Sequence, residues 1–411
     1  MSSRKLPITI PEWIQSTKVK SFSGIVIETP VVKGDGSITK LDWNNNIRDI
    51  ALTIPCGENA GVLVPCKSYN VLKIKVPDTQ VSPDTAPFDK VQSLFENMFV
   101  EINEKAVCNN VEAYGLYHTT MANIHYDYNY TTNSSGWKVG CSLSQLAPNT
   151  EITLYMPFAN PKYLEEEGIL GKPLDLSAIK SCRIRYFLSQ QLKNFLSSSD
   201  ISKANITIEW EARLFIVHSN ELKNNLGVAP RVMKYTRYAV QRFTEEANTT
   251  KLQHNFTNRY GNIKHILLFQ RYYSTLATAC EERLSNQFQL NSISTGNLYI
   301  NGRPVYNREM NFSSMATIID NLEKCFGRDI TKALGAHFNI TDSANKTKAF
   351  IALPLSADIK HSSGLNTKND NKQLTFEADC NVVEKTEFLY VIVYEEIATL
   401  NPITKELTIS Q

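Results

Sequence analysis

From Phe22 to Val76 apolar and polar positions alternate in short runs cut by turn residues: GIVIETPVV, KGDGS, DIALTIP, GVLVP and NVLKIKV. A period of two with such close punctuation predicts antiparallel strands of a sandwich or barrel. The Pro-rich PDTQVSPDTAP then leads to VQSLFENMFVEINEKAV, which predicts a strand and hairpin over Ser93–Val107, and to a helix over Glu112–Met121 packed on the sheet edge. ITLYMPFAN and IKSCRIRYFLSQQL carry the chain onward. The half closes on ITIEWEARLFIVH (Ile206–His218), read as one strand with Trp210, Ala212, Leu214 and Ile216 on one face and Glu209, Glu211, Arg213 and Phe215 on the other. After it, the polar SNELKNNLGVAP with its Asn, Gly and Pro predicts a linker.

The second half repeats this order. NIKHILLFQ (Asn262–Gln270) resembles Asn70–Val76, NLYINGRPV resembles FVEINEKAV, SSMATIIDNLEKCF resembles the Glu112 helix, and AFIALPLSAD resembles ITLYMPFAN. Ile102 and Ile300 stand 198 residues apart and Pro157 and Pro354 stand 197 apart, so two independent pairs share almost one offset. EFLYVIVYEE (Glu387–Glu396) closes this half as ITIEWEARLFIVH closes the first, at a smaller offset. The pattern is a tandem duplication with diverged loops, since two copies are too few and too long for a solenoid. It divides the chain into an arm over 1–21, a first roll over 22–220, a linker over 221–230, a second roll over 231–397 and a tail over 398–411. Length agrees: single cores stop growing near roughly 250–300 residues, and this chain has 411.

Composition removes some classes of partner. Lys and Arg number 43 against 41 Asp and Glu, so bulk charge leaves no footprint for nucleic acid and no specific nucleic-acid site is assigned. A small basic cluster, Arg4, Lys5, Lys18 and Lys20, marks the arm. There Pro7 and Pro11 interrupt regular structure, and Trp13 and Ile14 have no local core to enter, a composition expected to dock on a neighbour. MSSRKLPITIPEWIQ lacks the apolar stretch of a signal peptide, and no later run approaches the roughly 18 apolar residues of a membrane helix. The expectation is a soluble, non-secreted chain made in the cytosol. Eight cysteines without a CxxC pair, in a chain this large, are expected as free buried thiols.

Candidate chemistry is thin. The seven histidines show neither HxH nor HExxH spacing, and GxSxG, P-loop and GxGxxG patterns are absent. His125 and Asp127 would share one face of an extended strand as two metal ligands without a third, against the alternative of a solvated polar face. Glu165, Glu166 and Glu167 read as an exposed run. Ile124, Tyr126, Tyr128 and Tyr130 would line one side of an extended tract, open either to stacking on sugars or bases or to packing on a neighbouring strand. The sharpest local signal is structural. Asn301-Gly302 between LYI and RPV predicts a type I′ hairpin turn, because both central residues of that turn need φ > 0. Its counterpart Asn103-Glu104 is chemically poorer, so a longer turn or another type is expected there. No catalytic residue, cofactor or metal ligand is assigned.

Two sandwiches in tandem, each with a hairpin of the form LYINGRPV followed by a helix and each closed by a long strand such as LYVIVYEE, resemble the double jelly-roll major capsid proteins of tailless icosahedral double-stranded DNA viruses. The resemblance covers residues 20 to 397. It implies an all-β chain of two eight-stranded jelly rolls with short helices in the connecting loops. It further implies a homotrimer that forms a pseudo-hexameric capsomer and tiles the virion shell, a structural protein with no cofactor and no enzymatic activity. Penton and minor capsid proteins would be further partners, with an internal membrane or a minor protein meeting the N-terminal arm. Two other classes stay open. A viral spike or lectin-like carbohydrate-binding sandwich would present an exposed aromatic platform, and a two-sandwich hydrolase or cupin-like enzyme would need converging acid, base or metal groups.

Overall fold

The computed structural model describes residues 25–33, 40–42, 49–75, 92, 95–110, 112–125, 151–157, 173–188, 207–219, 230–274, 288, 290, 292–327, 330, 349–356, 364–369 and 372–410. The N-terminal arm, the Tyr126–Tyr130 tract with Asp127, Glu165–Glu167 and all but the last residue of the expected linker lie outside them.

The first half contributes β1 (Ile25–Glu28), β2 (Val31–Lys33), β3 (Lys40–Asp42), β4 (Asp49–Ile54), β5 (Val62–Leu63), β6 (Tyr69–Lys75), β7 (Phe95–Ile102), β8 (Lys105–Asn110), helix α1 (Tyr114–His125), β9 (Glu151–Pro157), β10 (Leu174–Asp175), β11 (Cys182–Leu188), β12 (Thr207–Arg213) and β13 (Ile216–Ser219). The second contributes β14 (Arg231–Glu245), β15 (Lys251–Phe256), β16 (Ile263–Tyr272), β17 (Ile293–Ile300), β18 (Arg303–Pro304), β19 (Met310–Asn311), helix α2 (Met315–Phe326), β20 (Ile351–Pro354), β21 (Leu374–Cys380), β22 (Thr386–Asn401) and β23 (Glu406–Ser410).

Sheet order repeats between the halves. The first half pairs β2-β12-β6-β9 and β4-β11-β7-β8; the second pairs β14-β22-β16-β20 and β15-β21-β17-β18. Numbered within its own half, each set of principal strands reads 1-8-3-6 and 2-7-4-5, two antiparallel sheets face to face with each half's last strand beside its first. That is the jelly roll, present twice. In both copies a helix fills the connection from the fifth strand to the sixth.

Each roll has its own core. In the first, the rings of Phe95, Tyr186 and Trp210 meet at centroid distances of 4.8 to 5.6 Å. Their polar handles are paired, since Trp210 Nε1 donates to Asn70 Oδ1 at 3.0 Å and Asn70 Nδ2 donates to the Tyr186 hydroxyl at 3.3 Å. A buried Trp or Tyr needs such a partner to enter a core without a desolvation penalty. In the second, β22 is buried at every position from Thr386 to Tyr394. A strand covered on only one face alternates, so this unbroken run marks a sheet covered on both. α2 covers part of the outer face: it buries Ile318, Leu322, Cys325 and Phe326 and sets Phe326 against His265 of β16, ring centroids 5.2 Å apart.

Three findings differ from the sequence reading. Ile206–His218 is not one strand: β12 pairs β2 and β6, whereas β13 pairs β1 and β5 in another sheet. At the break, Leu214 N–H donates to Pro30 O at 3.0 Å and Phe215 O accepts from Val64 N–H at 2.9 Å. Pro30 separates β1 from β2 and has no N–H to give a ladder, so both strands turn the corner together. Second, the segment set off as a tail after residue 397 is paired strand through residue 410. β22 runs on to Asn401 and returns as β23, with Leu400 and Leu407 buried in the first roll's core. Third, β14 pairs with β22 along all fifteen of its residues, although RVMKYTRYAVQRFTE carries too many polar residues on both faces to announce so long a strand.

Candidate functional site: the seam between the two rolls

Where the rolls meet, one flank of the first touches one flank of the second. On the first roll the contacts come from the β7–β8 turn, β8, α1 with the Glu112 before it, and β10; on the second they come from β14 and the β22–β23 hairpin. Asn103 Nδ2 donates to Lys405 O and Lys105 Nζ donates to Leu407 O, both at 2.6 Å. Higher on the seam, Tyr117 of α1 packs on Tyr238 of β14 with ring centroids 4.1 Å apart. Arg231, at the start of β14, pairs with the buried carboxylate of Asp175 at 2.8 Å.

α1 itself is buried all round: every described side chain from Ala113 to Ile124 is covered, including His118, Thr119, Thr120 and Asn123. Leu116, Tyr117, Met121 and Ile124 enter the second roll's core while Tyr114 stays in the first, so a connection of one roll plugs the other. His118 lies among the rings of Tyr114, Tyr117 and Tyr238, at 4.1, 5.3 and 6.0 Å. Burial lowers its pKa from the ordinary 6.5 to about 3, so the imidazole is neutral at the seam.

An ionic chain crosses the same boundary. Arg271, 1% exposed, donates from Nε at 2.9 Å and from Nη2 at 2.6 Å to Glu387 Oε2. The other oxygen of Glu387 accepts from Arg242 Nη1 at 3.0 Å, and Arg242 Nε donates to Glu112 Oε2 at 2.8 Å, just before α1. Burial opposes the charge on Arg242, but Glu387 and Glu112 outweigh it and raise its pKa.

Asn301 and Gly302 join β17 to β18 with φ of 49° and 77°. Asn103 and Glu104 join β7 to β8 with φ of 52° and 63°. The expectation of a longer or different turn at Asn103-Glu104 is therefore corrected, since the fold holds Glu104 in the left-handed region despite its Cβ. The two asparagines act alike. Asn103 N–H donates to Ser181 O at 2.9 Å and its Oδ1 accepts from Lys180 N–H at 2.7 Å; Asn301 N–H donates to Gln373 O at 3.0 Å and its Oδ1 accepts from Gln373 N–H at 2.8 Å.

Cys56, Cys182, Cys325 and Cys380 are free, with burial raising each thiol's pKa. Among the described residues no group of His, Cys, Asp or Glu is arranged to hold a metal, and no helix is long and apolar enough to cross a membrane. His125 closes α1 rather than lying in an extended strand. Sequence reading missed the seam residues Glu112, Tyr117, Asp175, Arg231, Arg242 and Lys405. One signal was available: AYGLYHTTMANI has no strongly polar face, and a helix without one is buried on all sides.

Two jelly rolls in tandem, locked at a buried seam, make this a double jelly-roll protein. No family model and no curated protein matches the chain. Solved structures do. It is similar to the PBCV-1 virus capsid at a TM-score of 0.65 and 10% identity, over 95% of this chain and 98% of that one. It is similar to the Sputnik virophage structure from cryo-EM at 0.55 and 13%, over 94% and 88%. With the mavirus major capsid protein the values are 0.50 and 7%, over 95% and 90%. The likeness is one of fold, extending nearly end to end.

Proposed function

We propose that this protein is the major capsid protein of a tailless icosahedral double-stranded DNA virus. Three copies close into a pseudo-hexameric capsomer, and capsomers tile the virion shell. The observation that carries this reading is the head-to-tail seam: flank of roll one against the opposite flank of roll two. A contact between unlike surfaces closes into a ring when the rotation allows it, and two rolls per chain give six roll-sized units around three copies. The fold likeness to viral capsid chains over nearly their full length supports the same conclusion. In this reading the protein is structural and needs no cofactor. Residues 1–21, with Arg4, Lys5, Trp13 and Ile14, face the shell interior and meet a minor protein or membrane, while penton and minor capsid proteins complete the lattice.

Light scattering of the purified protein is expected to return about three times the monomer mass, and negative-stain images a hexagonal outline, as a permanent interface burying more than about 2,000 Å² requires. A monodisperse monomer that stays monomeric on concentration would overturn the proposal and favour a lectin-like sandwich.

A further inference from the structure

Two free thiols meet where β4 ends and β11 begins. Cys182, the first residue of β11, lies opposite Ile54, the last of β4. Side chains two apart along a strand share a face, so Leu52, Ile54 and then Cys56 follow on the side that fills the first roll's core, where Cys182 is also buried. Past Pro55 the chain folds back, and Cys56 Sγ donates to Ile54 O at 3.3 Å. The backbone N–H of Cys182 is directed at that same sulfur, and Cys56 in turn bears on the Cys182 thiol. Lys405, whose carbonyl oxygen accepts from Asn103, also acts on Cys56, which places the pair at the foot of the seam. Cys325 and Cys380 have Lys324, Glu245 and Asp379 as charged neighbours and no thiol among the described residues.

We propose that Cys56 and Cys182 are a redox-sensitive pair that closes into a disulfide by exchange with a small-molecule disulfide such as oxidised glutathione, and that the closed bond locks the β4–β11 corner. Cys56 is half-buried and Cys182 is 0% exposed, so exchange starts at Cys56. The Cys56 thiol loses its proton and its sulfur attacks one sulfur of oxidised glutathione. The glutathione S–S bond breaks, one glutathione leaves as a thiolate that takes up a proton, and a mixed disulfide remains on Cys56. Cys182 then loses its proton and attacks the Cys56 sulfur, and the second glutathione leaves in the same way. Two protein thiols are oxidised, one glutathione disulfide is reduced to two thiols, and the protons balance. Burial raises the pKa of both thiols, that of Cys56 to about 11, so thiolate is scarce at neutral pH and the first step is slow. A reducing compartment keeps the pair open, and an oxidising one closes it.

The closed bond would join residues that are 126 apart in the chain, and closing so long a loop constrains the unfolded state strongly. It would also hold the start of β11 directly after Lys180 and Ser181, the two residues whose N–H groups the Asn103 side chain accepts. The lock therefore bears on the same turn that reaches across the seam to Lys405.

The test uses the full-length chain under native conditions, equilibrated with oxidised glutathione, then alkylated, digested and mapped by mass spectrometry. A peptide linking Cys56 to Cys182 is expected, lost on treatment with dithiothreitol. The linked protein is expected to melt about 4 °C above the reduced one. Cys56→Ser and Cys182→Ser are each expected to abolish both the link and the shift, whereas Cys325→Ser and Cys380→Ser leave both in place. The peptide map of the wild-type chain decides the pairing even where a serine variant does not fold. Two alkylated cysteines after equilibration, a glutathione adduct that stays on Cys56, a link from Cys56 to another cysteine, or a link that forms only in urea would each overturn the pairing. A native link that leaves the melting temperature unchanged would overturn the lock.

Discussion

Asn103 and Lys405, 302 residues apart, are joined by a 2.6 Å bond from the side-chain amide of the first to the backbone carbonyl of the second. The same asparagine accepts the Lys180 and Ser181 N–H groups through its oxygen. Asn103→Asp keeps the acceptor and removes the donor, and Asp also tolerates the left-handed backbone. It is expected to lower the unfolding free energy by about 1 kcal/mol, measured by urea titration. Asn301→Asp, with no bond across the seam to lose, is expected to change it much less.

The two hairpin turns give a prediction of opposite sign. Glu104 stands at φ 63°, where a side chain costs about 1–2 kcal/mol and glycine pays no such penalty. Glu104→Gly is therefore expected to raise the melting temperature, the relief exceeding glycine's added unfolded-state entropy. Gly302→Val is expected to lose roughly 1–2 kcal/mol or more by the same strain. Space is not the issue at Gly302, since a Cβ there would meet nothing within 4 Å. Two melting curves decide the matter.

Glu387 neutralises Arg271 in the interior and Arg242 at the seam. Glu387→Gln strands the Arg271 charge and is expected to destabilise the protein by about 3–5 kcal/mol. Replacing Arg271 with Met in the same protein removes the stranded charge and is expected to recover much of that loss, read from the denaturation midpoints.

His118 sets a pH dependence. Its folded pKa, about 3, lies below the ordinary 6.5, so below pH 6.5 the unfolded chain takes up a proton that the folded chain refuses. Stability from this group is complete above 6.5 and falls with acidification through that window, by up to about 1.4 kcal/mol per pH unit. Its ring neighbours are Tyr114, Tyr117 and Tyr238. His118→Phe is expected to flatten the slope of urea stability between about pH 5 and about pH 7.

The double sandwich was legible because burial sets a period of two and duplication doubles the signal. The offset seen in Ile102 and Ile300 is the offset between β7 and β17 themselves. What the pattern hides is partnership. Nothing in ITIEWEARLFIVH says that Leu214 gives its N–H to Pro30 and changes sheet there, because Leu214 stays buried on either side of the corner. Nor does TLNPITKELTIS announce that Leu400 and Leu407 enter the other roll, since alternation reveals a buried face but not what buries it. The seam was invisible for the same reason: Glu112, Arg231 and Arg242 look like ordinary surface charges until the fold brings their partners to them.

Because Ala398, Leu400 and Leu407 belong to the first roll's core, that roll cannot be finished when its own last strand leaves the ribosome. Nearly two hundred more residues must be made before the missing side chains arrive. During that interval the nascent first roll holds an open apolar site that its own C-terminus will fill, and a like site on a neighbouring nascent chain competes for it. Synthesis thus sets an order within the chain, since the first roll's core closes only once the last strands have come home.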